Sequence, residues 1–179
     1  MKTALAVIDV QRSLFDPEPQ PYEAREVIDR INRLALAARA TGSPVVFVQH
    51  ERDGTPLEYG SDSWHLVEGL VVEAGDLHVR KRTPDSFLRT DLQTMLESQS
   101  VTRVVVAGYA SEFCVDTTCR RAAALGYEVV LAANAHTTHD KGHATAAAIR
   151  LHENVTLPSI TSFGPSITAQ AAASVTFEA

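Results

Sequence analysis

Apolar residues in this chain fall into short unbroken runs, and the segments between the runs show helical spacing. Thr3 to Val10 is apolar almost throughout and closes on Asp9, Val10 and Gln11; Val45 to Gln49 closes on His50. Leu77 to Val79 leads into Arg80, Lys81 and Arg82, and Thr102 with Val104 to Ala107 ends at Gly108. Glu128 to Ala132 is a fifth run, and Ser166 to Ala171 a weaker sixth. Runs of β-branched and small apolar residues without polar alternation predict strands covered on both faces.

Between the runs, Val27, Ile28, Ile31, Leu34, Ala35 and Ala38 predict an amphipathic helix closed near Gly42. Phe87, Leu88, Leu92, Met95 and Leu96 predict a second helix, and Val115, Thr118, Ala122 and Leu125 a third, ended by Gly126 as its C-cap. A last helix is predicted from about Gly142 to His152, after a polar loop over Ala133 to Lys141. Strands alternating with helices imply right-handed crossovers. The fold class expected is three-layer α/β/α, with a mostly parallel six-stranded Rossmann-like sheet of order 3-2-1-4-5-6. Glu51 to Asp76 is a long connection with little pattern, the kind that is usually functional or mobile.

Length and charge narrow the class. The 179 residues fit one domain, expected to span residues 1–179, and can bury a core without staples. A formal net charge of −6 with acids and bases interspersed gives no footprint for nucleic acid. Two cysteines are too few for a disulfide framework, and neither a secretory leader nor an apolar run of membrane-spanning length is visible. The expectation is a cytoplasmic protein with no membrane or nucleic-acid partner.

Candidate chemistry gathers at the strand ends. Asp9, Lys81 and Cys114 follow the first, third and fourth strands, and the predicted order brings those ends near the switch point of the sheet. Each residue alone has a plainer reading, as a turn cap, a solvated base and a small buried hydrophobe. Together they supply a base, a cation and a nucleophile. Cys114 is placed at a helix N-terminus, where free N–H groups and the macrodipole favour a thiolate, so a depressed thiol pKa is expected. Cys119, deeper in the same helix, has no such context.

At these residues the sequence resembles the isochorismatase-like cysteine hydrolases, the superfamily of nicotinamidases and N-carbamoylsarcosine amidases. The resemblance rests on AVIDVQ around Asp9, KRTPDSF from Lys81 to Phe87 and GYASEFCVDTTCRRAAALGY around Cys114, and covers nearly the whole chain. It implies that Asp9 is the general base, that Lys81 stabilises charge and that Cys114 forms a covalent intermediate. It further implies a cis peptide at Tyr109–Ala110, with the N–H groups of Ala110 and Cys114 as oxyanion hole.

Departures from subfamily patterns bear on the substrate. Metal-binding nicotinamidases carry an Asp-x-His pair after the second strand, where this chain reads His50, Glu51, Arg52 and Asp53. No metal or other cofactor is therefore expected, and His136, His139 and His143 read as solvated or capping residues. Asn134 stands where the family often has Asp. The cysteine argues against vinyl ether cleavage of the isochorismatase type. The reading is a metal-independent cysteine hydrolase of a small amide or related C–N bond; the alternatives are such an ether hydrolase and a catalytically idle binding or assembly subunit. A small pocket walled by Phe15, Trp64, Tyr109 and Phe113 is expected, with His50 or Asn134 hydrogen-bonding the polar end of the substrate. Leu66, Val67, Leu70, Val71 and Val72, with little room in the main core, together with the resemblance, suggest a homodimer or higher homo-oligomer.

Overall fold

In the computed structural model, which describes residues 1–178, the first apolar run is the spine of the molecule. Every residue of β1 (Thr3–Ile8) is buried. Alternate side chains of a strand leave opposite faces, so Ala4, Ala6 and Ile8 enter one core cluster and Leu5 and Val7 the other. The strands β2 (Val45–His50), β3 (Leu77–Lys81), β4 (Arg103–Tyr109), β5 (Glu128–Thr137) and β6 (Ile167–Gln170) complete one sheet in the order β3-β2-β1-β4-β5-β6. All of its pairings are parallel, as the alternation of runs and helices predicts.

After a short turn of helix, α1 (Arg12–Phe15), the long α2 (Ala24–Ala40) buries Val27, Ile31, Leu34, Ala35 and Ala38 against one face. Val175 and Phe177 close the same face. The opposite face is covered by α3 (Leu92–Ser98), α4 (Asp116–Ala124) and α5 (Ala146–Ser159), through Leu92, Leu96, Ala122 and Leu157 among others. Among the described residues no helix is long and apolar enough to cross a membrane.

Several boundaries differ from the sequence expectation, each for a local reason. The second predicted helix starts only at Leu92, because Arg89 sits in the left-handed region at φ 59°, where a right-handed helix cannot pass. Asp85 Oδ1 instead accepts from the backbone of Phe87 at 2.8 Å. The last helix begins later and runs further than predicted: Thr145 caps it by accepting from Ala148 N, and Pro158, which has no N–H to donate to the preceding turn, lies one residue before its end.

The largest difference is in β5. Its pairing with β4 jumps from Val106↔Leu131 to Gly108↔His136, so extra residues are inserted and the strand resumes beyond them. Carbonyls freed by the insertion are satisfied by side chains: Asn154 Nδ2 donates to Ala133 O at 2.9 Å and Arg30 to Asn134 O at 2.8 Å. The predicted polar loop is therefore strand as far as Thr137, and His136 is wholly buried rather than solvated.

Gly108 fixes how β4 leaves the sheet. At φ 117° beside β1, a Cβ there would stand 2.1 Å from Ile8 O, a distance no side chain can occupy. Only glycine lets β4 press this close to the end of β1, and this brings the following turn against Asp9.

Candidate active site

Asp9 is the first residue beyond β1, and its φ of 51° turns the chain out of the sheet. Short polar residues such as Asp tolerate this conformation better than most. Lys81 is the last residue of β3, and Cys114 lies in the turn after β4. The turn is a single π-helical one, Ser111–Val115, in which Val115 N donates to Ala110 O at 3.1 Å; α4 begins only at Asp116. The expected α-helical N-terminus is thus displaced by a wider turn, a feature frequent at functional sites. The peptide bond between Tyr109 and Ala110 is cis, at the position the resemblance implies.

The Lys81 ammonium is the hub. Its Nζ donates to Asp9 Oδ2 at 2.7 Å, to Cys114 Sγ and Thr83 O at 3.2 Å each, and faces His50 Nδ1 at 3.3 Å. Both members of the Asp9–Lys81 pair are buried, a costly arrangement unless each charge is matched. Burial, the largest influence, works against the ammonium, but the Asp9 carboxylate, with the Cys114 sulfur as a second acceptor, prevails and the Lys81 pKa is raised. Burial and the nearby Lys81 charge lower the His50 pKa, keeping the imidazole neutral.

The thiol departs from expectation. Burial first, then Asp9, push Cys114 up to about 12, outweighing the pull of Lys81. The ammonium is already matched by a carboxylate at 2.7 Å and has little left to stabilise a thiolate. Cys114 therefore rests as a thiol rather than a thiolate. Asp9 Oδ1 is buried and has no hydrogen-bond partner among the described residues, which leaves an acceptor free beside the S–H.

Ligand atoms of Asp9, His50 and Cys114 lie within 4.8 Å of one another, a grouping that could hold a metal ion. Lys81 Nζ contacts all three residues, so one cation already stands against this grouping.

The predicted pocket residues do not converge as expected. Trp64 is 8% exposed and lines a groove of about 980 Å³ along the outer edge of β3, with Tyr59, Lys81, Thr83 and Leu88. Phe15 is in the core and meets Tyr109 edge to face at 5.9 Å. Tyr109 turns its hydroxyl to His139 Nδ1 at 2.8 Å. Phe113 is 55% exposed, with the Lys141 ammonium 5.6 Å from its ring centroid. The four aromatics therefore do not share one wall: Trp64 lines a groove whose walls include Lys81 but not Asp9, His50 or Cys114, and the other three lie outside it. Asn134 is not at the site: its Oδ1 accepts from Ala172 N at 2.8 Å, because the insertion in β5 turns it toward the C-terminal segment. Of the apolar cluster in the long connection, Val67 is buried and Leu66 and Leu70 pack on the core, while Val71 and Val72 are exposed.

Gln11 is a site residue whose role the sequence did not reveal. Its side chain donates to His50 O at 3.0 Å and Trp64 O at 2.8 Å and accepts from His50 N at 2.8 Å. It clasps β2 to the loop carrying Trp64. The signal was its fixed place two positions after Asp9, but its partners lie far along the chain.

Comparison with known proteins gives these residues a setting. Residues 3–162 match the model of the Isochorismatase domain family. A streptothricin hydrolase of Streptomyces noursei is 39% identical over 142 residues, covering 76% of this chain and 50% of its own length. The chain thus spans about half of that relative. A ureidoacrylate amidohydrolase of Pseudomonas syringae pv. syringae is 29% identical, with 79% of this chain and 72% of its own covered. Among solved structures, one described as an isochorismatase family protein superimposes with a TM-score of 0.86 at 36% identity, covering 94% of this chain and 98% of its own.

Proposed function

Because the chain belongs to the isochorismatase family, we propose that it is a single-domain, metal-independent cysteine hydrolase of small amides or related C–N bonds. The observation that carries the proposal is the contact of one buried ammonium with both a carboxylate and a thiol, at 2.7 Å and 3.2 Å. Relatives named as a streptothricin hydrolase and an amidohydrolase support a C–N bond as the target.

In this reading Cys114 Sγ attacks the substrate carbonyl as Asp9 Oδ1 takes the thiol proton. Attack and proton transfer coincide, as a resting thiol requires. The N–H groups of Ala110 and Cys114 hold the oxyanion. Collapse of the tetrahedral adduct breaks the C–N bond, and the amine leaves with the proton from Asp9. Asp9 then takes a proton from water, whose oxygen attacks the thioester, releasing the acid and restoring the thiol. Lys81 keeps Asp9 and Cys114 in register and matches the charge on Asp9 before attack and again once the amine has left with the proton. His50 receives the Lys81 ammonium at Nδ1, so its proton sits on Nε2 and can be donated to a substrate acceptor.

Metal independence is part of the proposal, supported by an ammonium already in contact with all three candidate ligands. So are a cytoplasmic location and a homo-oligomer, with exposed Val71 and Val72 as the part of the apolar cluster left to be covered. A light-scattering mass of one chain at micromolar concentration would remove the oligomer. The proposal as a whole is tested with a panel of small amides and ureido compounds: the wild type should hydrolyse at least one, and Cys114→Ala should hydrolyse none.

A further inference from the structure

Behind the turn that carries Cys114 lies a buried polar chain that the proposed reaction does not use. Ser111, the first residue of the turn, and His136 are both fully buried, with Ser111 Oγ 2.8 Å from His136 Nδ1. His136 Nε2 lies 3.0 Å from Asn154 Oδ1, and Asn154 Nδ2 donates to Ala133 O at 2.9 Å. The direction of each bond follows from the last one. Asn154 uses its amide hydrogens on a carbonyl, so its oxygen faces His136 and must accept, which puts the imidazole proton on Nε2. Nδ1 is then a bare acceptor, and the Ser111 hydroxyl is the donor. Burial pushes His136 down to about 4, so the neutral tautomer persists across the working range of pH.

We propose that His136 is a positioning residue for the nucleophile, acting through Ser111: it anchors the first residue of the π-helical turn and so sets where Cys114 Sγ stands against Asp9 and Lys81. The inference rests on Cys114 being the nucleophile. Glu112, the next residue of the turn, is held by Thr138 Oγ1 at 2.9 Å and by Lys141 at 3.2 Å, whereas Ser111 Oγ is held by His136. Ser111 O is engaged by Asp116 N within the turn, and the insertion in β5 serves to bring His136 opposite Gly108, within reach of Ser111. A misplacement of the thiol by about 1 Å would cost roughly 100-fold in rate.

The test separates the two ends of the imidazole. An Asn side chain can place its oxygen where His136 Nδ1 stands, and a Gln side chain reaches the Nε2 position instead. His136→Asn should keep the Ser111 bond and alkylate at Cys114 with iodoacetamide within about threefold of the wild-type rate. His136→Gln and Ser111→Ala should each slow that reaction at least tenfold and lower kcat on the best amide of the panel in the same proportion, with KM little changed. Thermal unfolding is recorded for all, and Ser111→Ala, the mildest change, keeps the test open if a His136 variant fails to fold. Equal rates in His136→Asn and His136→Gln, an unchanged rate in Ser111→Ala, or losses that track Tm rather than the Ser111 bond would overturn the proposal. The alkylation rates need no substrate, so they stand even if no amide of the panel is hydrolysed, an outcome that would count against the proposed function alone.

Discussion

Cys114 and Cys119 are five positions apart in one stretch of chain, and the difference between their surroundings is the most instructive contrast in the molecule. Cys119 lies in α4, fully buried among apolar side chains, and burial pushes its thiol far up. Cys114 is also raised, to about 12, so neither is a standing thiolate. What distinguishes Cys114 is contact: partial exposure, an ammonium at 3.2 Å, and beside it a carboxylate oxygen without another partner among the described residues. In the proposed reaction, Cys114 would be activated by a proton acceptor placed for the moment of attack rather than by a low resting pKa.

The contrast breaks most visibly if the contacting groups are removed. Cys114→Ala and Asp9→Asn should each lower turnover at least about 1,000-fold, since members of a catalytic unit fail together, whereas Cys119→Ala should leave turnover within a few-fold. Lys81→Ala should be as inactive and also less stable by about 3–5 kcal/mol, because it leaves the Asp9 carboxylate buried and unpaired. Steady-state kinetics with parallel thermal unfolding checks all four. An active Asp9→Asn enzyme would mean that the free carboxylate oxygen is not what separates the two cysteines.

That contrast was half legible in the chain. The covered runs made the sheet order legible, and the polar residues at or just beyond their ends, Asp9, Lys81 and Cys114, are the three groups the fold brings into contact, because buried strands and the polar residues that follow them are local signals. The resting state of the thiol was not legible, since it depends on Asp9 already matching Lys81 across strands. Likewise the π-helical turn, the insertion in β5 and the burial of His136 depend on partners such as Asn154 and Arg30 that no spacing reveals. Phe15 and Asn134 were misplaced for the same reason: their side chains answer to Tyr109 and Ala172, contacts made only in the fold.

A smaller expected effect concerns the cation position. With Lys81 Nζ among Asp9, His50 and Cys114, dialysis against a strong chelator should change turnover by less than about twofold, and metal analysis of the active protein should find no stoichiometric ion. Loss on chelation with recovery on adding zinc would replace the ammonium by a metal as the partner that marks Cys114.

The smallest expected effect lies between the two cysteines, at the start of α4. Glu153, buried beside Asp116, is raised from 4.5 to about 7 by burial and then by the Asp116 charge, against the pull of Arg120. The native protein then holds a proton that the unfolded chain has lost, so stability falls as pH rises from about 4.5 to about 7 and stays lowered above. Glu153→Gln should remove this slope and raise stability at pH 8 by on the order of 1 kcal/mol, with little change at pH 4. Thermal unfolding across that range reads it directly, and an unchanged slope would show that the carboxylate is not held against its charge.

The central claim, that contact with Asp9 and Lys81 makes Cys114 and not Cys119 the reacting thiol, is tested most directly by limited alkylation. The native protein is treated with less than one equivalent of iodoacetamide at pH 7, and the labelled peptides are read by mass spectrometry beside the residual turnover. The account predicts label on Cys114 with Cys119 unmodified, turnover lost in proportion to the label, and at least tenfold slower labelling in Asp9→Asn. Label shared between the two cysteines, or turnover that does not fall as Cys114 is modified, would contradict it.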